Sequence, residues 1–317
     1  MLDRDASIEL NTVLQSADPE HAEQSESALR GFPVRRADLF EYNVVILGDA
    51  DPTLLSDSMI ENLVDFVGNQ AGGEGQGRGG ALVFLAGANF MPMAYRGTPL
   101  EPLLPVGLAG AAAADADGTP VEEFALRPTE LGLVSPQMQL GDTPAETRAI
   151  WQNLPPLAWF VKTPEVKPGA LVLAEHPSSP DEQGRRIPLI SMHYVGAGKV
   201  LFHATDETWR WRWRVGDVFF ARYWVQMIRY LSRSKLADSS GQVDLSVDRR
   251  GYRRGESVRL RVTFADERIA PADEDGVTVV LEHRGRKTRR IKLHRSTISR
   301  GIFEAVVARP AIGVYHA

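Results

Sequence analysis

The spacing of hydrophobic and polar residues changes twice within residues 196–233. The other features of the chain are easiest to place relative to this stretch. Residues 199–203 form a short apolar run after a Gly-Ala-Gly turn, which predicts a strand buried in a sheet. Residues 187–194 predict the strand before that turn, paired with residues 199–203. The polar residues Thr205, Asp206 and Glu207 follow directly. Because open α/β sheets place their sites beyond the carboxyl ends of strands, we expect a functional edge here.

The next residues alternate tryptophan and arginine, and the period then becomes helical. In an extended segment this alternation places the two residue types on opposite faces. The tryptophans are Trp209, Trp211 and Trp213, and the arginines are Arg210, Arg212 and Arg214. Helical spacing from Asp217 to about residue 233 predicts an amphipathic helix with Asp217 as its N-cap. We expect Trp211 at least to be buried against this helix, and the arginines to pair with nearby carboxylates.

Strands and helices also alternate through residues 42–92. Residues 42–47 predict a buried strand, and the loop after it contains Asp49 and Asp51. Residues 56–67 predict a helix capped by Ser56, and residues 81–86 a second buried strand before a turn with Asn89. This order predicts a doubly wound, flavodoxin-like α/β domain. The glycine-rich residues 68–80 lack the Gly-Lys-Ser/Thr ending of a phosphate loop, so we interpret them as a flexible surface loop.

The C-terminal residues predict a separate all-β domain. Five segments between residues 243 and 307 alternate apolar and polar residues, which indicates a small immunoglobulin-like sandwich. Residues 243–317 hold 16 Lys and Arg against 10 Asp and Glu, a net charge of +6, whereas the other 20 Lys and Arg and 31 Asp and Glu leave −11 on the first 242 residues. This shift supports domains at 1–238 and 239–317, with a linker at about 235–242.

Composition excludes several classes of protein. The 317 residues are 43% hydrophobic, contain no cysteine, and include no apolar run of the roughly 20 residues that a membrane span needs. Disulfides, thiolate metal sites and a cysteine nucleophile are therefore excluded. The Trp and Arg alternation could combine base stacking with phosphate contacts. The first domain is acidic, however, and the C-terminal arginines alternate with apolar residues as on a solvated strand face, so we expect no nucleic-acid partner.

Four stretches of the first domain carry a family resemblance: YNVVILGDADP, GGALVFLAGANFMP, GKVLFHATDETWRWR and GDVFFARYWVQMIRYL. They resemble the class I glutamine amidotransferase-like domain of large planctomycete-type proteins, which also carry membrane helices and a von Willebrand factor A domain. The resemblance covers nearly all of residues 1–238, and the tail is similar to the Ig-like module that often follows. It implies a domain without its first strand, a tail that is cut short, and a membrane-associated parent protein in the cell envelope.

The resemblance does not extend to the residues of glutaminase chemistry. Class I glutaminases carry a cysteine on the turn after a strand and a His-x-Glu pair at the end of a later strand. The matching turn, residues 87–89, offers glycine, alanine and asparagine, and the matching strand end carries His203, Asp206 and Glu207 without that spacing. We therefore expect no glutaminase activity. His203 is either a vestigial base or a core histidine with satisfied hydrogen bonds, and a buried strand favours the second interpretation.

The carboxylates at the strand ends leave another enzymatic interpretation open. Because parallel strands end at one sheet edge, a ligand or metal site could include Asp49, Asp51, Asn89, Asp206 and Glu207, whose oxygen atoms suit Mg²⁺ or Ca²⁺. The alternative is that Asp49 and Asp206 cap turns and accept backbone NH groups. The histidines show no zinc spacing.

These observations together predict a non-catalytic, glutamine amidotransferase-like domain of a cell-envelope binding or scaffolding protein. We expect no cofactor, and a partner that is a protein or another envelope component. The alternative is a hydrolase, or a metal- or ligand-binding enzyme, that uses the strand-end carboxylates. Any membrane association of the parent protein is expected through segments outside this chain.

Overall fold

The computed structural model describes most of the chain. The described residues are 2, 5, 8–15, 27–68, 79–118, 120–180, 184–196, 198–213, 216–240, 243–249, 251–264, 270–271, 277–283, 286–297, 299–310, 313 and 315–316. The glycine-rich residues predicted as a surface loop, 68–80, lie largely outside them, and so does Arg214.

The elements of the described residues are short in the middle of the chain and long towards its end. The strands are β1 (Val44–Leu47), β2 (Ala81–Leu85), β3 (Val106–Gly107), β4 (Ala112–Ala113), β5 (Arg127–Pro128), β6 (Val161–Lys162), β7 (Glu165–Val166), β8 (Leu171–Pro180), β9 (Arg186–Val195), β10 (Gly198–His203), β11 (Val243–Val247), β12 (Val258–Phe264), β13 (Val277–His283), β14 (Arg286–Arg295), β15 (Ile302–Val307) and β16 (Tyr315–His316). The α-helices are α1 (Arg36–Leu39), α2 (Asp57–Val67), α3 (Glu130–Val134), α4 (Pro144–Asn153) and α5 (Val218–Ser240). Segments of 3₁₀ helix lie at Pro52–Leu54, Met93–Tyr95, Glu101–Leu103, Pro136–Met138 and Glu207–Arg212.

The first region is built on a six-stranded mixed sheet with the order β1-β2-β10-β9-β8-β5. Its parallel pairs are β1 with β2 and β2 with β10. The other three pairs are antiparallel. Every residue of β10 and almost every residue of β2 is buried, as the apolar runs predicted for interior strands.

A helix packs on each face of this sheet. Helix α2 begins after Ser56, whose Oγ accepts a hydrogen bond from Met59 N at 3.3 Å, so the predicted N-cap is confirmed. A Cβ added to Gly198 would lie 2.2 Å from the carbonyl oxygen of Val67 at the end of α2. The next residue of β10 points to the opposite face, where Lys199 Nζ donates to the carbonyl oxygen of Tyr230 on α5.

The predicted flavodoxin-like, doubly wound sheet is wrong. The chain reaches β10 from the antiparallel strand β9, with Lys199 opposite Tyr194, so only three of the six strands run parallel. That hairpin itself was predicted and is confirmed. Residues 97–195 fold mainly as short antiparallel pairs, β3 with β7 and β4 with β6, and as the two ten-residue strands β8 and β9. They do not supply the repeated strand-helix-strand crossovers that a doubly wound sheet requires.

The C-terminal region is a six-stranded antiparallel sheet with the order β11-β12-β15-β14-β13-β16. Strand β14 pairs with β13 and, through its last residues His294 and Arg295, also with β15. The strands therefore form one continuous, curled sheet, and the predicted two-sheet immunoglobulin-like sandwich is corrected accordingly. Its buried core consists of Leu260, Val262, Val279, Leu281, Leu293, Phe303 and Val307.

The two regions follow each other closely. Helix α5 ends at Ser240 and β11 begins at Val243, so most of the residues predicted as a linker belong to the helix. The guanidinium of Arg261 on β12 lies 4.4 Å from the ring centroid of Tyr194 on β9. This contact joins the second sheet to the first.

Candidate functional site

The three parallel strands end at one edge of the first sheet, as the sequence predicted. Ala86 N, just after β2, donates to the carbonyl oxygen of His203, the last residue of β10. The loop after β1 carries Asp49, and the loop after β10 carries Asp206 and Glu207. The negative charge of Asp49 acts on the pKa of Asp206, so the two loops lie within electrostatic range of each other.

Asp49 holds the turn that follows β2. Its Oδ2 accepts from the backbone N and the side-chain Nδ2 of Asn89, both at 2.8 Å. Its Oδ1 accepts from Phe90 N at 2.6 Å and Met91 N at 2.9 Å. Partial burial opposes ionisation, but the hydrogen bonds from Met91, Phe90 and Asn89 outweigh it and hold the pKa of Asp49 below its ordinary value. A Cβ on Gly87 would lie 2.2 Å from Asp49 Cβ, so this turn needs glycine there.

Asp51 caps a short helical turn instead of joining a site. Its Oδ1 accepts from Thr53 N at 2.9 Å and from Thr53 Oγ1 at 2.7 Å. The backbone of Asp51 also exchanges two hydrogen bonds with the side-chain amide of Gln15. Both contacts are those of a structural turn residue.

Glu207 ties the segment after β10 to a distant part of the chain. Its Oε2 accepts from the backbone N atoms of Ala158 and Trp159, the latter at 2.9 Å. Its Oε1 lies 3.1 Å from Arg210 Nε. The carboxylate is therefore held between two backbone donors and one cation.

Asp206 is the one exposed carboxylate of the candidate set that the described residues leave without such a clamp. Partial burial of its carboxyl group, together with the negative charges of Glu207 and Asp49, raises its pKa although the residue as a whole is exposed. Among the described residues, no group of three or more His, Cys, Asp or Glu is placed to hold a metal ion. Asp49, Asp51 and Glu207 thus act as structural clamps, and Asp206 does not.

His203 is a core histidine. Its Nδ1 lies 2.9 Å from the carbonyl oxygen of Thr205, and its Nε2 lies 3.0 Å from Tyr223 Oη. Its ring stacks on that of Trp224 at 5.8 Å. Because a carbonyl only accepts, Nδ1 carries the proton and Nε2 accepts from the tyrosine hydroxyl. Burial lowers the pKa of His203 to about 4, so the ring is neutral near pH 7.

The Trp and Arg segment is not extended, and this prediction is wrong. Residues Glu207–Arg212 form a 3₁₀ helix, which turns once every three residues and so does not keep alternate side chains on one face. Trp211 is 1% exposed, with its ring centroid 5.3 Å from that of Trp151 and 5.4 Å from that of Tyr223. Trp209 and Trp213 are 43% and 57% exposed.

The two exposed tryptophans form a small surface with Arg210 between them. Their ring centroids lie 5.2 Å apart, with the rings nearly perpendicular. The guanidinium carbon of Arg210 lies 5.7 Å from each centroid, in the range of a cation–π contact. Arg212 instead pairs with Asp217, its Nε lying 2.6 Å from Oδ1, so Asp217 serves as the ion-pair partner of Arg212. We call Trp209, Arg210 and Trp213 the aromatic surface.

Several residues that shape this edge gave no sequence signal. Trp151 on α4 supplies one wall of the Trp211 site, and Ala158 and Trp159 supply the donors to Glu207. They lie about fifty residues or more before their partners, and nothing in the local pattern marks them. The only available clue is a general one. A carboxylate that is removed from water needs hydrogen-bond donors, so Glu207 required a partner somewhere in the chain.

Comparison with known proteins gives weak structural likenesses. No protein-family model matches the sequence, and no curated protein matches it. The chain is similar to a cytoplasmic protein of Salmonella typhimurium LT2, at 18% identity and a TM-score of 0.42, over 63% of this chain and 76% of that one. A second cytoplasmic protein of Salmonella typhimurium is similar at 16% identity and a TM-score of 0.43, over 63% of this chain and 76% of that one. A β-galactosidase from Rahnella sp. R3 is similar at 15% identity and a TM-score of 0.33, over 85% of this chain and 33% of the enzyme.

These likenesses assign no function to the chain. The mixed strand order corrects the flavodoxin-like, glutamine amidotransferase-like fold that the sequence predicted. Across the part of the chain that the structure describes, no helix has both the length and the apolar character needed to cross a membrane.

Proposed function

We propose that this chain is a non-catalytic binding domain of a cell-envelope protein, and that it binds a saccharide component of the envelope at the aromatic surface. The observation that carries the proposal is the contrast in exposure among the three tryptophans of residues 209–213. Trp211 is 1% exposed, whereas Trp209 and Trp213 are 43% and 57% exposed. Large aromatic side chains exposed in a pair are unusual on a surface that binds nothing.

The neighbouring carboxylates support a binding role over a catalytic one. Asp49 accepts four hydrogen bonds from the turn after β2. Glu207 accepts two from the backbone and pairs with Arg210. A general acid or base needs a free carboxyl group that can reach a substrate, and these two groups are occupied. The hydrolase alternative is therefore left with Asp206 as the one strand-end carboxylate that is exposed and not held in this way.

The chemistry of the aromatic surface fits a saccharide. A sugar ring presents an apolar face of C–H groups that packs on an indole ring, while its hydroxyl groups need donors and acceptors at the rim. The guanidinium of Arg210 lies between the two rings and also pairs with Glu207 and Glu123, and Asp206, three residues before Trp209, is exposed. The net charge of −11 on the first 242 residues disfavours a nucleic acid. The resemblance to domains of membrane-anchored envelope proteins supports the location.

A glycan array followed by calorimetric titration tests the proposal. We expect the whole chain to bind at least one oligosaccharide, and Trp209→Ala and Trp213→Ala each to weaken that binding roughly ten-fold or more, as loss of a stacked ring typically does. Val306→Ala is the matched control, because Val306 is 60% exposed but lies on β15 of the second sheet. Binding of no glycan, or unchanged affinity in both tryptophan variants, would overturn the proposal.

A further inference from the structure

A polar cavity lies between helix α5 and the loop that precedes α4. Its volume is about 460 Å³, which is within the range of small-molecule sites. None of the residues that line it belongs to the aromatic surface. The polar side chains of its lining are those of Gln139, Asp142, Arg222, Gln226, Arg229 and Tyr230.

Helix α5 supplies one wall of the cavity. Arg222, Gln226 and Arg229 follow one another at spacings of four and three residues, so they share one face of the helix. Arg222 Nη1 donates to the carbonyl oxygen of Leu140, which ties the helix to the loop. Arg229 Nη2 lies 3.1 and 3.0 Å from the two carboxylate oxygens of Asp5. The charge of Arg229 is therefore neutralised, whereas Arg222 forms no ion pair with any residue that the structure describes.

The loop brings a carboxylate to the opposite wall. Gly141 N donates to Thr147 Oγ1 at 3.1 Å, and Asp142 N donates to Glu146 Oε2 at 2.9 Å. These two bonds to the first turn of α4 fix the backbone of Asp142, which is itself exposed. Within the described part of the chain the carboxylate of Asp142 has no ion pair, with Arg222 or with any other cation. The cavity thus contains one cation and one carboxylate that do not neutralise each other.

We propose that this cavity binds a free α-amino acid. Such a molecule carries a carboxylate and an ammonium group on one carbon atom. Its carboxylate pairs with the planar guanidinium of Arg222, and its ammonium pairs with Asp142. Gln226 Oε1 is enclosed by the protein and has no hydrogen-bond partner among the described residues. Turning this amide towards the ligand therefore breaks no hydrogen bond of that oxygen, and it gives the ammonium group a second acceptor.

A simple anion suits the cavity less well than a zwitterion does. Arg229 is already paired with Asp5, so Arg222 alone would attract the anion, and Asp142 would repel it. An amino acid has no net charge from its backbone groups and meets an opposite charge at each of them. The site uses no residue of the aromatic surface, so it is independent of the saccharide binding proposed above.

Calorimetric titration of the whole chain with a panel of the standard L-amino acids tests the proposal. We expect at least one of them to bind. Its N-acetyl derivative lacks the ammonium group and its α-amide lacks the carboxylate. Each derivative should bind at least roughly ten-fold more weakly, as loss of a hydrogen bond between charged groups typically causes. Binding of no amino acid, or equal binding of the two derivatives and the amino acid, would overturn the proposal.

Two variants assign the two charged contacts. Asp142→Asn should abolish the difference in affinity between the amino acid and its N-acetyl derivative, and Arg222→Gln the difference between the amino acid and its α-amide, because each variant removes the charge that the derivative no longer meets. Asp142 is exposed, so Asp142→Asn keeps the proposal testable if Arg222→Gln does not fold. The control Arg35→Gln, at an exposed arginine outside the cavity, should leave all affinities unchanged. Differences that persist in both cavity variants would contradict the assignment.

Discussion

At the scale of single residues, the carboxylates of Asp49 and Glu207 are held by backbone NH groups. Their sequence positions, just past buried strands, are where catalytic or metal-binding groups are often found. The distinction depends on the donors around them, which for Asp49 come from a turn 40 to 42 residues later. A sequence pattern can place a carboxylate at a sheet edge, but it does not show whether backbone NH groups already donate hydrogen bonds to that carboxylate.

His203 makes the stability of the chain depend on pH. Its pKa is about 4 in the folded protein against an ordinary value of about 6.5, so as pH falls the unfolded chain takes up the proton first. The contribution is fully present above about pH 6.5 and is lost as pH falls to about 4, on the order of 3 kcal/mol in all. We expect His203→Gln to flatten the fall in unfolding free energy across this window, measured by urea denaturation at a series of pH values.

The exposed His294 provides the control for this pH dependence. His294→Gln should keep the slope of the parent protein. The pKa values of His176 and His193 are also lowered by burial, so part of the slope should remain in His203→Gln. A slope identical in His203→Gln and in the parent would show that His203 is not buried as a neutral ring in solution.

At the scale of elements, the sequence pattern predicted an element correctly where the residues that stabilise it lie close to it in the sequence. The capped helix α2, the buried strands β2 and β10, and the β9–β10 hairpin were all predicted. Strand β1 was predicted as well, but it lies at the edge of the sheet with Ile46 exposed and is not buried throughout. The place of β5 in the first sheet was not predicted, because it joins β8 through the pairing of residues 127–128 with residues 174–175, which no periodicity marks. The strict alternation of Trp and Arg was interpreted as an extended segment, which is wrong. The contacts of Trp211 with residue 151 and of Glu207 with residues 158 and 159 determine the backbone conformation there.

Trp211 and Trp213 should differ sharply in their effect on stability. Trp211 fills a site between Trp151 and Tyr223, so Trp211→Ala leaves a cavity and should cost roughly 3 to 5 kcal/mol of unfolding free energy. Trp213→Ala, at an exposed position, should change it by less than about 0.5 kcal/mol. Thermal melts of the two variants check this, and a Trp211→Ala protein that melts like the parent would contradict the packing described here.

At the scale of the whole molecule, an acidic region and a basic region meet through a few defined contacts. Arg261 of β12 pairs with Glu304 on its own sheet, with Nε 2.6 Å from Oε1, and the same guanidinium covers the ring of Tyr194 on the first sheet. Arg253 of the second region also pairs with Glu130 on α3. The net charges of −11 and +6 favour this association, and salt should weaken it.

The contact between Arg261 and Tyr194 should be measurable as an energetic coupling between the two regions. A double-mutant cycle with Tyr194→Leu and Arg261→Met isolates it, since each single variant removes the cation–π contact. We expect a coupling of about 1 kcal/mol, the range of a partly exposed cation–π pair. The same cycle with Tyr194→Phe is the control: phenylalanine keeps the ring face and loses only the hydroxyl that contacts Tyr230, so its coupling to Arg261→Met should be near zero. A Tyr194→Leu cycle that also shows no coupling would mean that the two regions do not hold each other through this pair in solution.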